Sequence, residues 1–285
     1  MIDFADTQKT LSEEITLSGI GLFSGKKVSL TLCPSDADSR IVFQREDLPG
    51  KPKIRACLNN VTDSIRCTSL GGKMGVQMVE HLLSALYAYG IDNILIKVNG
   101  PEIVCGDGSA LIFIDAIEKA KIQELNAKKT TYKLSSPQFF QDKDITMVAL
   151  PSDHLQISYV LHYPAVEVLR SRYCYFQIDG KKYKEEIAAC RTFSTYEDVK
   201  PLLDKGIIKG GDLDNAIVIK DGQVMNPKGL RYGDEMVRHK VLDLVGDFSL
   251  MEKNFKAHII AIRSGHAANI VFAKKLYEHF TMERE

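Results

Sequence analysis

His239, Asp243 and Asp247 stand four residues apart in the segment RYGDEMVRHKVLDLVGDFSL (Arg231–Leu250), with Lys240 beside the first. On a helix each step of four leaves successive side chains about 40° apart, so the three share one face. Val237, Val241, Leu244, Val245 and Phe248 then fall on the opposite side. A His and an Asp one turn apart can both reach one cation. The same pair also suits a solvated face closed by a His–Asp hydrogen bond. A catalytic zinc needs a further ligand from another element, and hydrolysis needs an acid and a base besides.

The other histidines are His81, His154, His162, His258, His266 and His279. His81 follows Glu80 on a helix otherwise apolar on its core side. A carboxylate next to a ligand can take a proton from water on the metal; a charged helix edge is the bland alternative. His266 follows Gly265 at a helix start, where the helix N-terminus lowers its pKa and a carboxylate such as Asp247 raises it and orients the ring. Simple N-terminal capping would use the same position. His258 alternates with apolar residues in a strand and reads as a satisfied, partly buried imidazole. His279 is expected to be solvated, and His154 and His162 fit no ligand spacing. In CRTFS (Cys190–Ser194), Thr192 offers a hydroxyl donor suited to an oxyanion and Phe193 an apolar face, although each residue is equally at home in a structural role. The glycines at 71–72 and 106–108 form neither a phosphate loop nor a dinucleotide fingerprint.

The elements that must position these groups follow from periodicity. Lys26–Pro34 alternates Val28, Leu30 and Leu32 with polar residues and predicts a strand, as does Ser39–Asp47. Val76–Gly90 repeats apolar residues at helical spacing and stops at Gly90. A strand, Asn93–Gly100, and a helix, Ser109–Gln123, follow. Asn126–Leu134 is the expected boundary between halves, 1–127 and 128–285. Beyond it come strands at Ile145–Pro151 and Leu155–Pro164. Lys184–Gly206 reads as helix, break, helix, and Ala216–Asn226 as a hairpin turning at Asp221-Gly222. The 231–250 helix, a strand at Lys256–Gly265 and a helix at His266–Phe280 complete the chain. Strands, helix, strand, helix thus occurs twice. That order predicts an α+β fold of two similarly folded halves, each a sheet packed with helices, with the active site in the cleft where equivalent helices meet.

Composition sets outer bounds. A length of 285 residues with 45% hydrophobic and 26% charged residues is ordinary for a globular protein with a sizeable core. Lys+Arg and Asp+Glu both number 37, which argues against non-specific nucleic-acid binding. Six scattered cysteines without a C-x-x-C pair read as free thiols in a reducing compartment. The start, MIDFADTQKT, lacks the basic and apolar regions of a signal peptide, and no apolar run is long enough to span a membrane. A soluble, cytoplasmic, monomeric protein is expected.

SGIGLFSGKKV, VEHLLSALYAYGIDN, PEIVCGDGSA, RTF, GLRYGDEMVRHKVLDLVGD and SGHAAN occur in that order along nearly the whole chain. Together they resemble the zinc-dependent UDP-3-O-acyl-N-acetylglucosamine deacetylase family, and the block R-H-K-x-x-D-x-x-G-D is highly specific for it. The resemblance implies one zinc ion on His81, His239 and Asp243, Glu80 as general base, and His266 as the acid that protonates the leaving amine, oriented by Asp247. It further implies Thr192 as oxyanion donor, Lys240 toward the nucleotide sugar and its phosphates, and Phe193 lining the sugar pocket. The implied reaction releases acetate from the N-acetyl amide and leaves a free amine, the committed step of lipid A biosynthesis in Gram-negative bacteria. The implied substrate carries an O-linked acyl chain, for which an insertion near 195–214 would form a passage lined by Leu202, Ile207 and Ile208; an amphipathic helix with a loop would look the same. A zinc amidohydrolase of this fold acting on another acylated amino sugar is the alternative. A purely structural zinc would ordinarily be closed by a fourth ligand.

There are departures from the family pattern. Phe23 replaces the His usual in the first glycine-rich turn, which removes a polar substrate contact. Val104 stands where Pro is usual and implies a looser loop. Ile270 replaces a second Asn, and Cys67 lies where some members have a thiol close to the metal, as a neighbour and not a ligand.

Overall fold

The computed structural model describes residues 2–3 and 7–282; of the opening MIDFADTQKT, Met1 and Phe4–Asp6 lie outside them. The fold is α+β. A five-stranded sheet runs in the order Ile15–Ile20, Lys27–Pro34, Ile94–Val98, Ile41–Arg45, Lys53–Arg55. Its alternation is that expected for a half-buried strand, with Val28, Leu30 and Leu32 turned to the core. The parallel pair Ile41–Arg45 and Ile94–Val98 needs a crossover, and helix α1 (Glu80–Ala88) lies within it. Helix α2 (Leu111–Ala120) follows and packs on α1.

A seven-stranded sheet is built around Asn254–Ile262, which pairs in parallel with Leu155–Leu161 and Thr131–Lys133 and antiparallel with Ile145–Leu150. Phe255, Ala257, Ile259 and Ala261 point into the core. On the opposite face His258 Nε2 meets Ser158 Oγ at 2.9 Å. The strand Ile122–Lys128 lies antiparallel to Thr7–Leu11, and Ile2–Asp3 pairs with Thr131–Lys133. His279, expected to be solvated, is half-buried, and its Nδ1 accepts from Gln138 Nε2 at 3.3 Å.

The stretch expected to read helix, break, helix is more elaborate. A short helix α3 (Gly180–Lys182) runs into a π-turn (Tyr183–Ile187), then a strand (Phe193–Thr195), then helix α4 (Tyr196–Asp204). Asp179 and Thr195 cap the two helices by accepting from Lys182 N and Asp198 N. Phe193–Thr195 pairs in parallel with Ile217–Lys220, which turns at Asp221-Gly222 into Gln223–Val224. Both turn residues have positive φ (50° and 74°), as a tight hairpin requires.

One local expectation is corrected and one alternative is set aside. α1 begins at Glu80 and not at Val76: Val76 bridges to Leu70, Gln77 bridges to Glu102, and Met78 sits at φ 61°, outside the helical region. Helix α5 (Glu235–Ser249) has no solvated polar face; His239, Asp243 and Asp247 are as buried as Val241 and Leu244. α1 and α5 pack directly on each other. They cross so closely that a Cβ on Gly246 would lie 2.1 Å from Glu80 O. Helix α6 (His266–Met282) also packs against α5.

Candidate metal centre and active site

The α1–α5 crossing sets the site. Glu80 and His81 are the first residues of α1, while His239, Asp243 and Asp247 lie one turn apart along α5. His239 Nε2 is 3.2 Å and His81 Nε2 3.7 Å from the same atom, Asp243 Oδ1. The two imidazoles meet edge to face with centroids 5.0 Å apart. One ligand atom from each of these three buried residues lies within 4.8 Å of the others. His239 Nδ1 is 3.0 Å from Cys190 O, which can only accept, so Nδ1 carries the proton and Nε2 presents a lone pair.

Asp243 Oδ1 is buried and has no hydrogen-bond donor. An acceptor oxygen facing the His239 lone pair in a dry interior is unfavourable. A cation among them removes the conflict, and two imidazoles with one carboxylate are a donor set that zinc accepts. The residues therefore fit the metal.

The second oxygen of Asp243 is held by Lys240 Nζ at 2.6 Å. Burial works against both charges. The attraction of His239, Lys240 and His266 nevertheless holds the Asp243 carboxyl well below its usual range, and Asp243 holds the Lys240 ammonium above its own. Lys240 thus sits beside Asp243. Burial lowers the His239 pKa, which keeps this imidazole neutral.

Glu80 and His266 flank this cluster. Glu80 is buried, and Thr68 N donates to its Oε2 at 2.9 Å. Burial pushes its carboxyl up against the pull of His266 and His81. His266 opens α6 and its Nε2 lies 3.8 Å from Asp243 Oδ2. Its Nδ1 donates to Asp247 Oδ2 at 2.9 Å. Burial disfavours its charged form, yet Asp247 and Asp243 outweigh this and raise its pKa to about 9.

A long-range pair fixes the segment that carries Thr192 and Phe193. Arg191 donates from its N and Nε to Glu235 Oε1 at 3.0 and 2.8 Å, fixing this strand to the start of α5. Thr192 N donates to Gly108 O and Thr192 O accepts from Ile217 N, both at 2.8 Å. The Phe193 ring stands edge-on to His239 at 6.3 Å and to Tyr163 at 6.4 Å, forming an apolar wall beside the centre.

Leu202, Ile207 and Ile208 are not part of this cluster. They lie on α4 and the loop after it, with Ile208 buried, Leu202 half-buried and Ile207 exposed. Lys209 N and Gly210 N donate to Phe23 O and Leu22 O, so this loop docks on the first glycine-rich turn. Glu102 holds that turn from inside: its carboxylate accepts from Phe23 N and Ser24 N, each at 2.8 Å. Val104 is buried and packs against Gly19. Phe23 is partly buried on the core, and Ile270 is buried. Cys67 is buried next to the site, and burial and the Glu80 carboxylate push its thiol up to about 12.

Four residues beyond those singled out from the sequence shape the site. Thr68 and Asn269 both donate to Asp247, Gly246 lets the helices meet, and Glu235 anchors the Thr192 strand. Gly246 carried a local signal, a glycine inside a helix. The other three act through long-range pairs that no spacing announces.

No helix among the described residues is long and apolar enough to cross a membrane, and all six cysteines are free thiols. A family model described as "LpxC: UDP-3-O-acyl N-acetylglycosamine deacetylase" matches residues 8–278. A UDP-3-O-acyl-N-acetylglucosamine deacetylase of Chlamydia pneumoniae is 43% identical over 274 residues, 95% of this chain and 97% of the relative. One of Chlamydia caviae is 43% identical over 272 residues, with the same shares covered. One of Chlamydia trachomatis serovar L2 is 40% identical over 280 residues, 98% of this chain and 97% of the relative.

Proposed function

The chain belongs to the UDP-3-O-acyl N-acetylglycosamine deacetylase family, and on that footing we propose that it hydrolyses the N-acetyl amide of UDP-3-O-acyl-N-acetylglucosamine. The products are UDP-3-O-acyl-glucosamine and acetate, and the step commits its substrate to lipid A. His81, His239 and Asp243 would hold one zinc ion. When bound, the metal polarises the amide carbonyl and brings the pKa of water toward ~7. The observation that carries this reading is the donor-less Asp243 Oδ1 facing two imidazoles, with a buried carboxylate and a charged imidazole at hand.

Each residue then has a defined task. Glu80 Oε2 is tied to Thr68 N, which leaves Oε1 to take the proton of the attacking water. The unactivated amine leaves only if protonated. His266 gives its Nε2 proton to that nitrogen while Nδ1–H stays on Asp247 Oδ2, so Asp247 keeps the ring in one orientation. Glu80 as the carboxylate would accept a proton and His266 as the imidazolium would donate one. The Thr192 hydroxyl donates to the oxyanion that develops on the carbonyl. Lys240 spends one N–H on Asp243 and keeps two for the nucleotide sugar and its phosphates. Phe193 lines the sugar pocket. Leu202, Ile207 and Ile208 line the path of the acyl chain, in an enzyme of two halves (1–127 and 128–285) that works as a cytoplasmic monomer.

The test measures acetate release from UDP-3-O-acyl-N-acetylglucosamine and zinc content on one sample of purified protein. About one zinc per chain and activity that a chelator abolishes are expected. Release from simple N-acetyl sugars at equal efficiency would overturn the substrate, and full activity in metal-free protein would overturn the chemistry.

A further inference from the structure

Thr68 stands at the end of the strap that leads into Ser69–Leu70, fully buried over the crossing of α1 and α5. Its main chain is bound to the start of α1: Thr68 N donates to Glu80 Oε2 at 2.9 Å, and Thr68 O accepts from Val79 N at 3.3 Å. Its side chain turns the other way. Thr68 Oγ1 donates to Asp247 Oδ1 at 2.5 Å, in the range of strong charge-assisted hydrogen bonds. The other oxygen of Asp247 accepts from His266 Nδ1 and Asn269 Nδ2, each at 2.9 Å.

We propose that Thr68 is a positioning residue for the deacetylation, one that holds the base through its N–H and the Asp247–His266 pair through its hydroxyl. The proposal rests on the deacetylase reading given above. Asp247 is wholly buried, so no water can satisfy Oδ1 if the hydroxyl is removed. His266 and Asn269 both pull on Oδ2. Without a donor on Oδ1 the carboxylate plane is free to tilt about its bond to Cβ, and the imidazole tilts with it. With the hydroxyl in place, Asp247 accepts at both oxygens and has no proton of its own to offer. That requires the ring proton on His266 Nδ1 and aims Nε2 at the reacting nitrogen. One residue thereby fixes the spacing between the group that takes a proton and the group that gives one.

The test places Thr68→Val and Thr68→Ser in the wild type and in the His266→Ala background, all loaded with zinc. Acetate release, zinc per chain and thermal melting are measured on each. Valine keeps the shape and removes only the hydroxyl, so kcat should fall about ten- to a hundredfold, the worth of a buried hydrogen bond to a charged group. KM should move by about twofold at most, and zinc should stay bound. Serine should restore most of kcat. In the His266→Ala background the same valine substitution should cost nothing further, because the ring it positions is gone. A purely structural role would instead give equal losses in both backgrounds and a KM or zinc defect that serine does not repair; either pattern overturns the proposal. So does wild-type turnover in Thr68→Val. Wild-type protein that releases no acetate overturns the deacetylase reading itself, and this proposal with it.

Discussion

Alanine at position 246 adds one methyl group where α1 and α5 cross. A Cβ there lies 2.1 Å from Glu80 O, 2.8 Å from Glu80 C and 3.0 Å from Glu80 Cα. All three are backbone atoms, so no side chain can swing aside. A carbon meets a carbonyl oxygen comfortably at about 3.3 Å, so the helices must part by about 1 Å. Without that contact the substitution would stabilise α5 by about 1 kcal/mol, since glycine is a poor helix former. With it, overpacking costs about 1–3 kcal/mol, which a domain of ordinary stability survives. The functional cost is larger, because Glu80 and His81 ride on one helix and His239, Asp243 and Asp247 on the other. Metal–ligand distances tolerate about 0.2 Å, so a displacement near 1 Å takes His81 out of reach. Misplacement of that size is also worth about a hundredfold in turnover. Gly246→Ala protein should therefore fold, melt lower than the wild type, bind zinc substoichiometrically and lose about 99% of its acetate release. Circular dichroism, elemental analysis and steady-state kinetics on one preparation read these quantities. A variant that melts higher and keeps its zinc and turnover would refute the claim that this contact sets the ligand spacing.

Glu80→Gln should keep its zinc and lose about 10²–10⁴ in kcat, measured as acetate release beside metal content. His266→Ala should behave alike, and loss of zinc from it would mean that acid and ligand have been confused. Glu235→Gln should cost about 3–5 kcal/mol in a denaturant titration, because it leaves Arg191 without its buried partner. Burial raises the Glu235 carboxyl, but Arg191 and the N–H groups of Arg231 and Arg191 outweigh it and bring the net value below normal. Stability from such a group is fully present above the unfolded carboxyl pKa of ~4.3 and is lost as pH falls through the lower folded value. The gap between wild type and Glu235→Gln should accordingly narrow below about pH 4, and a gap unchanged from neutral pH to acid would deny the pair this role.

Much of the fold was legible because strands and helices write their burial into the sequence with different periods. Val28, Leu30 and Leu32 mark a strand, and Gly90 marks the end of α1. The start of α1 was not legible. Val76 and Val79 continue the helical spacing, but cross-chain bridges at Val76 and Gln77 and the positive φ of Met78 override it. Glu102 belongs to a distant segment, and Leu70 is brought round to Val76 by the glycine-rich turn between them. Thr68 was hidden for the same reason, lying far in sequence from both α5 and α6.

The ladder on α5 was visible as residue types and misleading as an environment. Polar residues on one face of a helix ordinarily meet water, and a solvated face was a fair alternative. In the fold this face is interior, and burying an imidazole and two carboxylates there is costly unless every polar atom finds a partner. Asp247 finds them in Thr68, His266 and Asn269, and Asp243 Oδ2 finds Lys240. Asp243 Oδ1 finds none among the described residues, and of the other buried side-chain atoms in this network Asn269 Oδ1 is left in the same way. A chain that satisfies its other buried carboxylate so fully has no structural use for one bare oxygen between two imidazoles. The unmet demand of that atom, more than the spacing of the residues, is what supports the proposed cation.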